Sequence, residues 1–270
     1  MPNKKARSLS PSALSAYEWC PANWLGQYHL RLPGTEFVNT ADTAVGKAVH
    51  RAMKKLNERR RDGKPTMPAE LETWATDYWA EEKIGIPTPL TDIDNTYYLN
   101  WAVCHASELA ALTRGQVPVE IEKYLSIPLV TDENGDVLWY IGGILDAQLA
   151  NGQGIVCRVD DYKTANNTAF TSRDNEKYRI QAAIYAAIIR HLYGSIPEVH
   201  LLTSDSENVE DYLVPLTPTT VDDTLEHARR VAAEIDRMLE TGTPFPKPRH
   251  CQYCPLGGNC PTTVAPLVAA

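Results

Sequence analysis

No run of apolar residues in the chain approaches the roughly 18 that a membrane helix needs, so no membrane-spanning segment is expected. The start of the chain, residues 1–7 and then Ser8-Leu9-Ser10, lacks the apolar core of a signal peptide, and a cytosolic protein is the expectation. Positive charge is not in surplus either: 26 Lys and Arg against 34 Asp and Glu leave a net charge of -8. That balance excludes a generally adhesive, histone-like binder of nucleic acid, because neutralising phosphate needs a basic surface. There is no Gly-x-x-x-x-Gly-Lys-Ser/Thr loop, so a nucleotide-driven motor is not encoded in this chain. Internal repeats and low-complexity segments are missing as well. Cysteine is scarce, at 6, yet three of the six crowd between positions 251 and 260. In a reducing compartment that crowding fits metal ligation better than a disulfide framework.

What is present suffices for a sizeable core: 43% of 270 residues are hydrophobic. We read one elaborated domain, with a helical part over 1–116, a sheet core over 117–216 and a C-terminal helix with a cysteine loop over 217–270. Ser10-Pro11 reads as an N-cap and a first-turn proline, opening a short helix that stops at Cys20-Pro21 and gives way to a loop. A longer helix follows over about 40–61, closed by Asp62-Gly63, with Gly46 and His50 four apart on one face. Helices over about 68–82 and 93–114 are rich in Trp and Tyr: Trp74, Tyr78, Trp79, Tyr97, Tyr98 and Trp101. Aromatics at helical spacing pack a core first; unpaired bases stacking on them is the alternative.

From Val117 the period falls to two. Val117, Val119 and Ile121 alternate with polar positions as in a half-buried strand running towards Val130. Turns at Asp132-Glu133-Asn134-Gly135 and Asn151-Gly152-Gln153-Gly154 predict further strands over 137–150 and 155–163. A helix over 176–193, a strand over 199–203 and an amphipathic helix over 221–240 complete the reading.

Adjacent strands carry Gly143-Ile144-Leu145-Asp146 and Val159-Asp160-Asp161-Tyr162-Lys163-Thr164. Asp161 and Lys163 are two apart, so both side chains leave the same face of their strand, where Asp146 can meet them. Phosphodiester hydrolysis needs hard oxygen ligands for Mg²⁺ or Mn²⁺, a positioned water and a cation near the developing charge. Two aspartates and a lysine supply those parts. An isolated Asp-x-Lys is more often solvated, but apolar residues flank both aspartates here, and a buried carboxylate without a metal or cation partner is unfavourable. Asp160 points to the opposite face, and Glu120 shares its strand face with Glu122. The cations Lys47, Arg51, Lys54 and Lys55, with Arg59, Arg60 and Arg61 beyond, form a helical stripe that either tracks a phosphate backbone or is simply a solvated face. Cys104 and Cys157 fall in apolar patterns and read as buried hydrophobes.

Gly-Ile-Leu-Asp, then Asp-Tyr-Lys-Thr, preceded by Gly46-Lys47-Ala48-Val49-His50 and followed by Gln181-Ala-Ala-Ile-Tyr185, resembles the motif series of the RecB-like exonucleases of the PD-(D/E)XK nuclease superfamily. The resemblance runs from about Ser10 to Pro261. It implies an α/β, restriction-endonuclease-like core with a mixed central sheet flanked by helices and a helical N-terminal insertion. It implies that Asp146 and Asp161 are metal ligands with His50 a further one, that Lys163 orients the attacking water, and that Gln181 and Tyr185 line the site. One N-terminal cysteine, Cys20, with Cys251, Cys254 and Cys260 near the C-terminus, matches the split found in the iron–sulfur members, AddB-type subunits and the CRISPR-associated group. A [4Fe–4S] cluster joining the termini is implied, with a Cys₄ zinc site as the rival, since thiolates suit both. The expected function is a Mg²⁺- or Mn²⁺-dependent deoxyribonuclease, an exonuclease on single-stranded ends. It would serve recombination, repair or CRISPR-adaptation-like processing in the cytoplasm of a prokaryotic cell or phage-infected host, as a homo-oligomer or within a complex. The alternative is a non-catalytic DNA-end-binding or scaffold subunit.

Overall fold

The computed structural model describes residues 6–32, 39–164, 172–204 and 209–244, with 247, 251, 254, 256 and 259–261 of the C-terminal loop. Pro246, Pro248, Pro255, Gly257 and Gly258, which mark that loop in the sequence, lie outside the described residues. The chain divides into two compact units, one of Met1–Phe37, Ser126–Gly143 and Thr217–Ala270, the other of Val38–Leu125 and Ile144–Leu216.

In the first unit β1 (Arg7–Leu9) runs parallel to β3 (Val137–Ala150), pairing Arg7 with Trp139 and Leu9 with Ile141. Ser10 caps α1 (Pro11–Trp19) by accepting from the Ala13 amide, and Pro11 needs no amide partner in the first turn. The predicted loop after Cys20 is instead helical: α2 (Pro21–Trp24) continues into a π-helical turn, Leu25–Leu30. Burial decides this, since Pro21, Ala22, Asn23, Trp24 and Leu25 are all buried and their backbone groups need partners. Helix α7 (Pro218–Thr241) starts at a Thr217 cap and ends at Gly242, whose φ of 65° is the left-handed turn that glycine takes freely. Its buried stripe of Val221, Leu225, Ala228, Val231, Ala232, Ile235 and Met238 follows the helical period. Asp236 on that helix accepts from Trp139 Nε1 at 2.9 Å and pairs with Arg7 at 2.6 Å.

The second unit holds the later part of β3 and the strands that follow it. β2 (Glu120–Thr131) pairs with β3, which is antiparallel to β4 (Val156–Thr164); β4 is parallel to β5 (Glu198–Ser204), and β6 (Val209–Leu213) is antiparallel to β5. The result is a mixed α/β fold with helices flanking a mixed sheet. Helices α3 (Ala41–Arg61), α4 (Pro68–Glu82) and α5 (Asp92–Leu112) bury Val45, Val49, Met53, Trp74, Trp79 and Trp101 in one core with Tyr162 and Leu202 of the sheet. Core packing is therefore the role of most of the aromatics, although Tyr97 remains 54% exposed.

Three expectations need correction. Val117 and Val119 are exposed and precede the strand, which begins at Glu120. Glu122 has a φ of 44°, a left-handed residue that interrupts the two-residue alternation, so it does not share a regular strand face with Glu120. Cys104 and Cys157 are exposed, because each sits at a helix or strand position turned away from the buried stripe. β1 and β6 are absent from the sequence reading: three residues carry no readable period, and β6 is an exposed edge strand containing Glu210 and Asp211.

Candidate active site

Antiparallel pairing of Ala147 with Asp160 brings Asp146 beside Asp161 one step further along. Both carboxylates are buried, at 7% and 2% exposure. Asp146 Oδ2 accepts from the Tyr162 amide at 2.9 Å, while Asp161 Oδ2 lies 2.6 Å from Lys163 Nζ. The same-face relation of Asp161 and Lys163 thus ends in an ion pair.

Helix α3 delivers the imidazole. A Cβ on Gly46 would lie 3.1 Å from Thr164 Oγ1, so glycine is what lets the helix approach β4 this closely. One turn later His50 Nε2 reaches the Tyr162 carbonyl at 2.9 Å. A carbonyl only accepts, so Nε2 carries the proton and Nδ1 is left facing Asp146 Oδ2 at 3.6 Å. Two lone pairs in that relation require a proton or a cation between them.

Helix α6 (Ser172–Tyr193) closes the third side. Gln181 Nε2 donates to Asp161 Oδ1 at 3.3 Å and to Tyr185 Oη at 2.6 Å, and Tyr185 in turn donates to the Ile144 carbonyl at 2.8 Å. The chain ties the helix to both carboxylate strands. Tyr178, three residues before Gln181 on the same helical face, sets its ring 5.5 Å from Lys163 Nζ. Sequence reasoning missed this residue, although Tyr178, Gln181 and Tyr185 stand at i, i+3 and i+7.

The electrostatics follow from burial working against pairing. Burial pushes Asp161 up and Asp146 adds repulsion, and together they outweigh Lys163, so its pKa is raised. Burial also acts on Asp146, but His50, Lys163 and the Tyr162 amide prevail and hold it below the ordinary carboxylate range. His50 and Lys163 are both raised: burial disfavours their charge, and the carboxylates beside them overcome it.

Other predicted residues lie elsewhere. Lys47 donates to Asn39 at 3.0 Å, Arg51 pairs with Glu81 at 2.6 Å and Glu82 at 3.0 Å, and Lys54 pairs with Glu122 at 2.8 Å. Lys55 sits 4.6 Å over the Trp74 ring. Glu120 pairs with Lys123 at 2.5 Å, and Asp160 with Arg158 at 2.6 Å. In the first unit Leu256 packs over Gly26, where a Cβ would lie 2.6 Å from its Cδ2, and the Lys247 amide donates to Cys20 Sγ at 3.4 Å. Burial raises the Cys254 thiol, and Cys20, Cys260 and Cys251 each add to that rise. Among the described residues no three His, Cys, Asp or Glu side chains converge into a metal shell. At the carboxylate cluster the reason is visible: Asp161 Oδ2 is turned to Lys163, and Asp146 Oδ2 to Tyr162 and His50.

The chain is similar to known proteins in one consistent way. Curated proteins give no match by sequence. A solved candidate exonuclease from Eubacterium rectale shares the fold at a TM-score of 0.59 and 12% identity, covering 93% of this chain and 88% of its own. A second solved structure, the protein SSO0001, is 17% identical over 82% of this chain and 86% of its own, at a TM-score of 0.39. The family model of the PD-(D/E)XK nuclease superfamily matches residues 8–261. Nearly the whole chain, both carboxylate strands and the Lys163 strand end included, lies inside that match, and the protein belongs to the PD-(D/E)XK nuclease superfamily.

Proposed function

We propose that this protein hydrolyses DNA phosphodiester bonds with Mg²⁺ or Mn²⁺, as an exonuclease on single-stranded ends in recombination, repair or CRISPR-adaptation-like processing. The observation that carries the reading is the pair of acceptors His50 Nδ1 and Asp146 Oδ2, 3.6 Å apart, with the buried Asp161 beside them and Lys163 at the rim. His50, Asp146 and Asp161 are the residues that would hold a divalent ion, and a ligand histidine that donates its other ring N–H to a backbone carbonyl is the usual support for such an ion. Bound there, the metal would supply Lewis acidity and a more acidic water.

The protein's own groups do the rest. Asp146 and Asp161 hold the metal side of the site, and the Tyr162 amide and Gln181 fix their rotamers. Lys163 keeps its positive charge despite burial, placed to orient a water and to offset charge growing on the phosphoryl oxygens. Tyr178 holds that ammonium group against its ring face. The exonuclease description of the fold neighbour is in keeping with action at ends. Degradation of labelled single-stranded DNA that depends on Mn²⁺, stops with chelator and is lost in Asp161→Ala is the expected result; an Asp161→Ala protein as fast as wild type ends the proposal.

For Cys20, Cys251, Cys254 and Cys260 we propose a [4Fe–4S] cluster, with zinc as the rival. Support comes from the donor set and from Cys254 Sγ, which lies 4.0 Å from Asn23 Oδ1, three residues after Cys20. Anaerobically purified protein should absorb broadly in the visible; a colourless sample with one equivalent of zinc removes the cluster.

A further inference from the structure

Beyond the catalytic cluster, the second unit contains a cavity of about 330 Å³ at the C-terminal end of α3. Its polar lining is cationic: Arg60, Lys64 and Arg114, with no Asp or Glu among the lining residues. Leu56, Met67 and Leu71 contribute apolar wall. The volume is within the range of small-ligand sites, and the combination of apolar wall with convergent charge suits a group with an anionic head and a flat apolar body.

Three further observations separate this cavity from an ordinary basic surface. Arg60 hydrogen-bonds only neutral groups among the described residues, donating to Thr113 Oγ1 at 2.8 Å and to the Ala110 carbonyl at 3.0 Å. Burial lowers the pKa of its guanidinium, and no carboxylate opposes that. Thr66, which also lines the cavity, has a buried Oγ1 without a hydrogen-bond partner. In the middle of α3, by contrast, Arg51 and Lys54 already meet Glu81, Glu82 and Glu122. Of the cations around the cavity, Lys64 pairs with the exposed Asp62 at 3.1 Å, and Arg114 meets no carboxylate among the described residues. Towards the end of the helix Arg59 meets Glu70 at 3.3 Å and Arg61 meets Asp62 at 3.6 Å, so among the described residues Arg60 is the arginine of α3 that meets no carboxylate.

We propose that the cavity is a subsite for the nucleic-acid strand, holding one nucleotide with its phosphate among Arg60, Lys64 and Arg114 and its base on the apolar wall. It deepens the nuclease reading and rests on it. Ten residues of α3 separate His50 from Arg60, about 15 Å along the axis. That spans about four nucleotide steps at duplex rise. A 12-nucleotide strand engaged at the catalytic cluster reaches the cavity, and a 3-nucleotide strand does not.

The test is binding of fluorescent single-stranded 12-mer and 3-mer DNA to the full chain, in chelator, over a range of salt. Lys64→Gln and Arg114→Gln, singly and together, are the variants, since both side chains are exposed and leave the core intact. For the double variant the 12-mer Kd should rise about tenfold and the salt slope fall by about 0.7, the loss of one neutralised phosphate on a single strand. Binding and metal-supported cleavage of the 3-mer should not change. Unchanged 12-mer affinity and slope overturn the subsite while leaving the nuclease reading intact. Free dTMP is the second arm: tight dTMP binding that is lost in the double variant, with 12-mer binding unaffected, assigns the cavity to a free nucleotide and also overturns the subsite. A wild-type protein that neither binds nor cuts the 12-mer overturns the nuclease reading and takes the subsite with it.

Discussion

Strand β4 buries a carboxylate on each face, and the two are treated differently. On one face Asp160, fully buried, pairs with Arg158 Nε at 2.6 Å, and Arg158 also reaches Asp211 at 3.1 Å. Gln116, in the amide orientation that satisfies both its atoms, donates to Asp160 Oδ2 at 2.8 Å, and His200 meets Asp211 at 2.5 Å. Every acceptor there has a donor. On the other face Asp161 and Asp146 have one lysine between them, with neutral amide donors from Gln181 and Tyr162, and His50 Nδ1 faces Asp146 Oδ2 at the longer distance of 3.6 Å. Burial of an acid does not by itself mark a site; what marks this one is the excess of acceptors that the protein's own donors leave over.

The largest test of that contrast is to delete each acid in turn. Asp161→Ala should lower cleavage at least about a thousandfold, as expected for loss of a group organising the charge of the reaction, while folding stability stays within about 1 kcal/mol. Asp160→Ala should do the reverse, because it removes the nearer and more deeply buried of the two carboxylates that hold the Arg158 guanidinium and leaves Asp211 alone. A fully buried pair broken on one side loses about 3–5 kcal/mol, and the fifth of Arg158 still exposed reduces this to roughly 2–3 kcal/mol. Urea denaturation alongside activity per folded molecule reads both. Equal losses of stability in the two variants would erase the distinction between the faces.

Next in size is Lys163→Gln, which keeps the hydrogen-bonding end but not the charge. We expect kcat to fall about a hundredfold with KM little changed, since the charge is needed in the transition state rather than for binding. A smaller effect belongs to Tyr178. Its ring contact with Lys163 is of a kind that contributes about 0.5–1 kcal/mol, so Tyr178→Ala should slow kcat roughly two- to fivefold while Tyr178→Phe, which keeps the ring, should not. A Phe variant as slow as the Ala variant would assign the effect to the hydroxyl instead.

The grouping of the candidate site residues was legible because their placement obeys local rules. Two-residue spacing sets Asp161 and Lys163 on one face, four-residue spacing aligns Gly46 with His50 and Gln181 with Tyr185, and a Gly-rich turn fixes the β3–β4 register. Long periodic elements were legible for the same reason: α4 and β3 have the predicted bounds, 68–82 and 137–150. What escaped depends on distant partners. β1 is defined by β3 more than a hundred residues away, and the charge state of the α3 stripe depends on Glu81, Glu82 and Glu122, which no spacing within α3 can reveal.

Cys104 and Cys157 show the same limit at its smallest scale, and they give the weakest expected effect. Each lies among apolar neighbours in the sequence, yet each side chain is exposed, and Cys157 makes a long 3.7 Å contact with the Leu149 carbonyl. A thiol on the surface contributes little burial, so Cys104→Ser and Cys157→Ser should change stability by no more than about 0.5 kcal/mol. Buried thiols replaced by a hydroxyl would instead lose on the order of 1–3 kcal/mol through an unsatisfied polar group. Labelling of the folded protein by a thiol reagent separates the cases directly: both should react without denaturant, and protection of either would return it to the core.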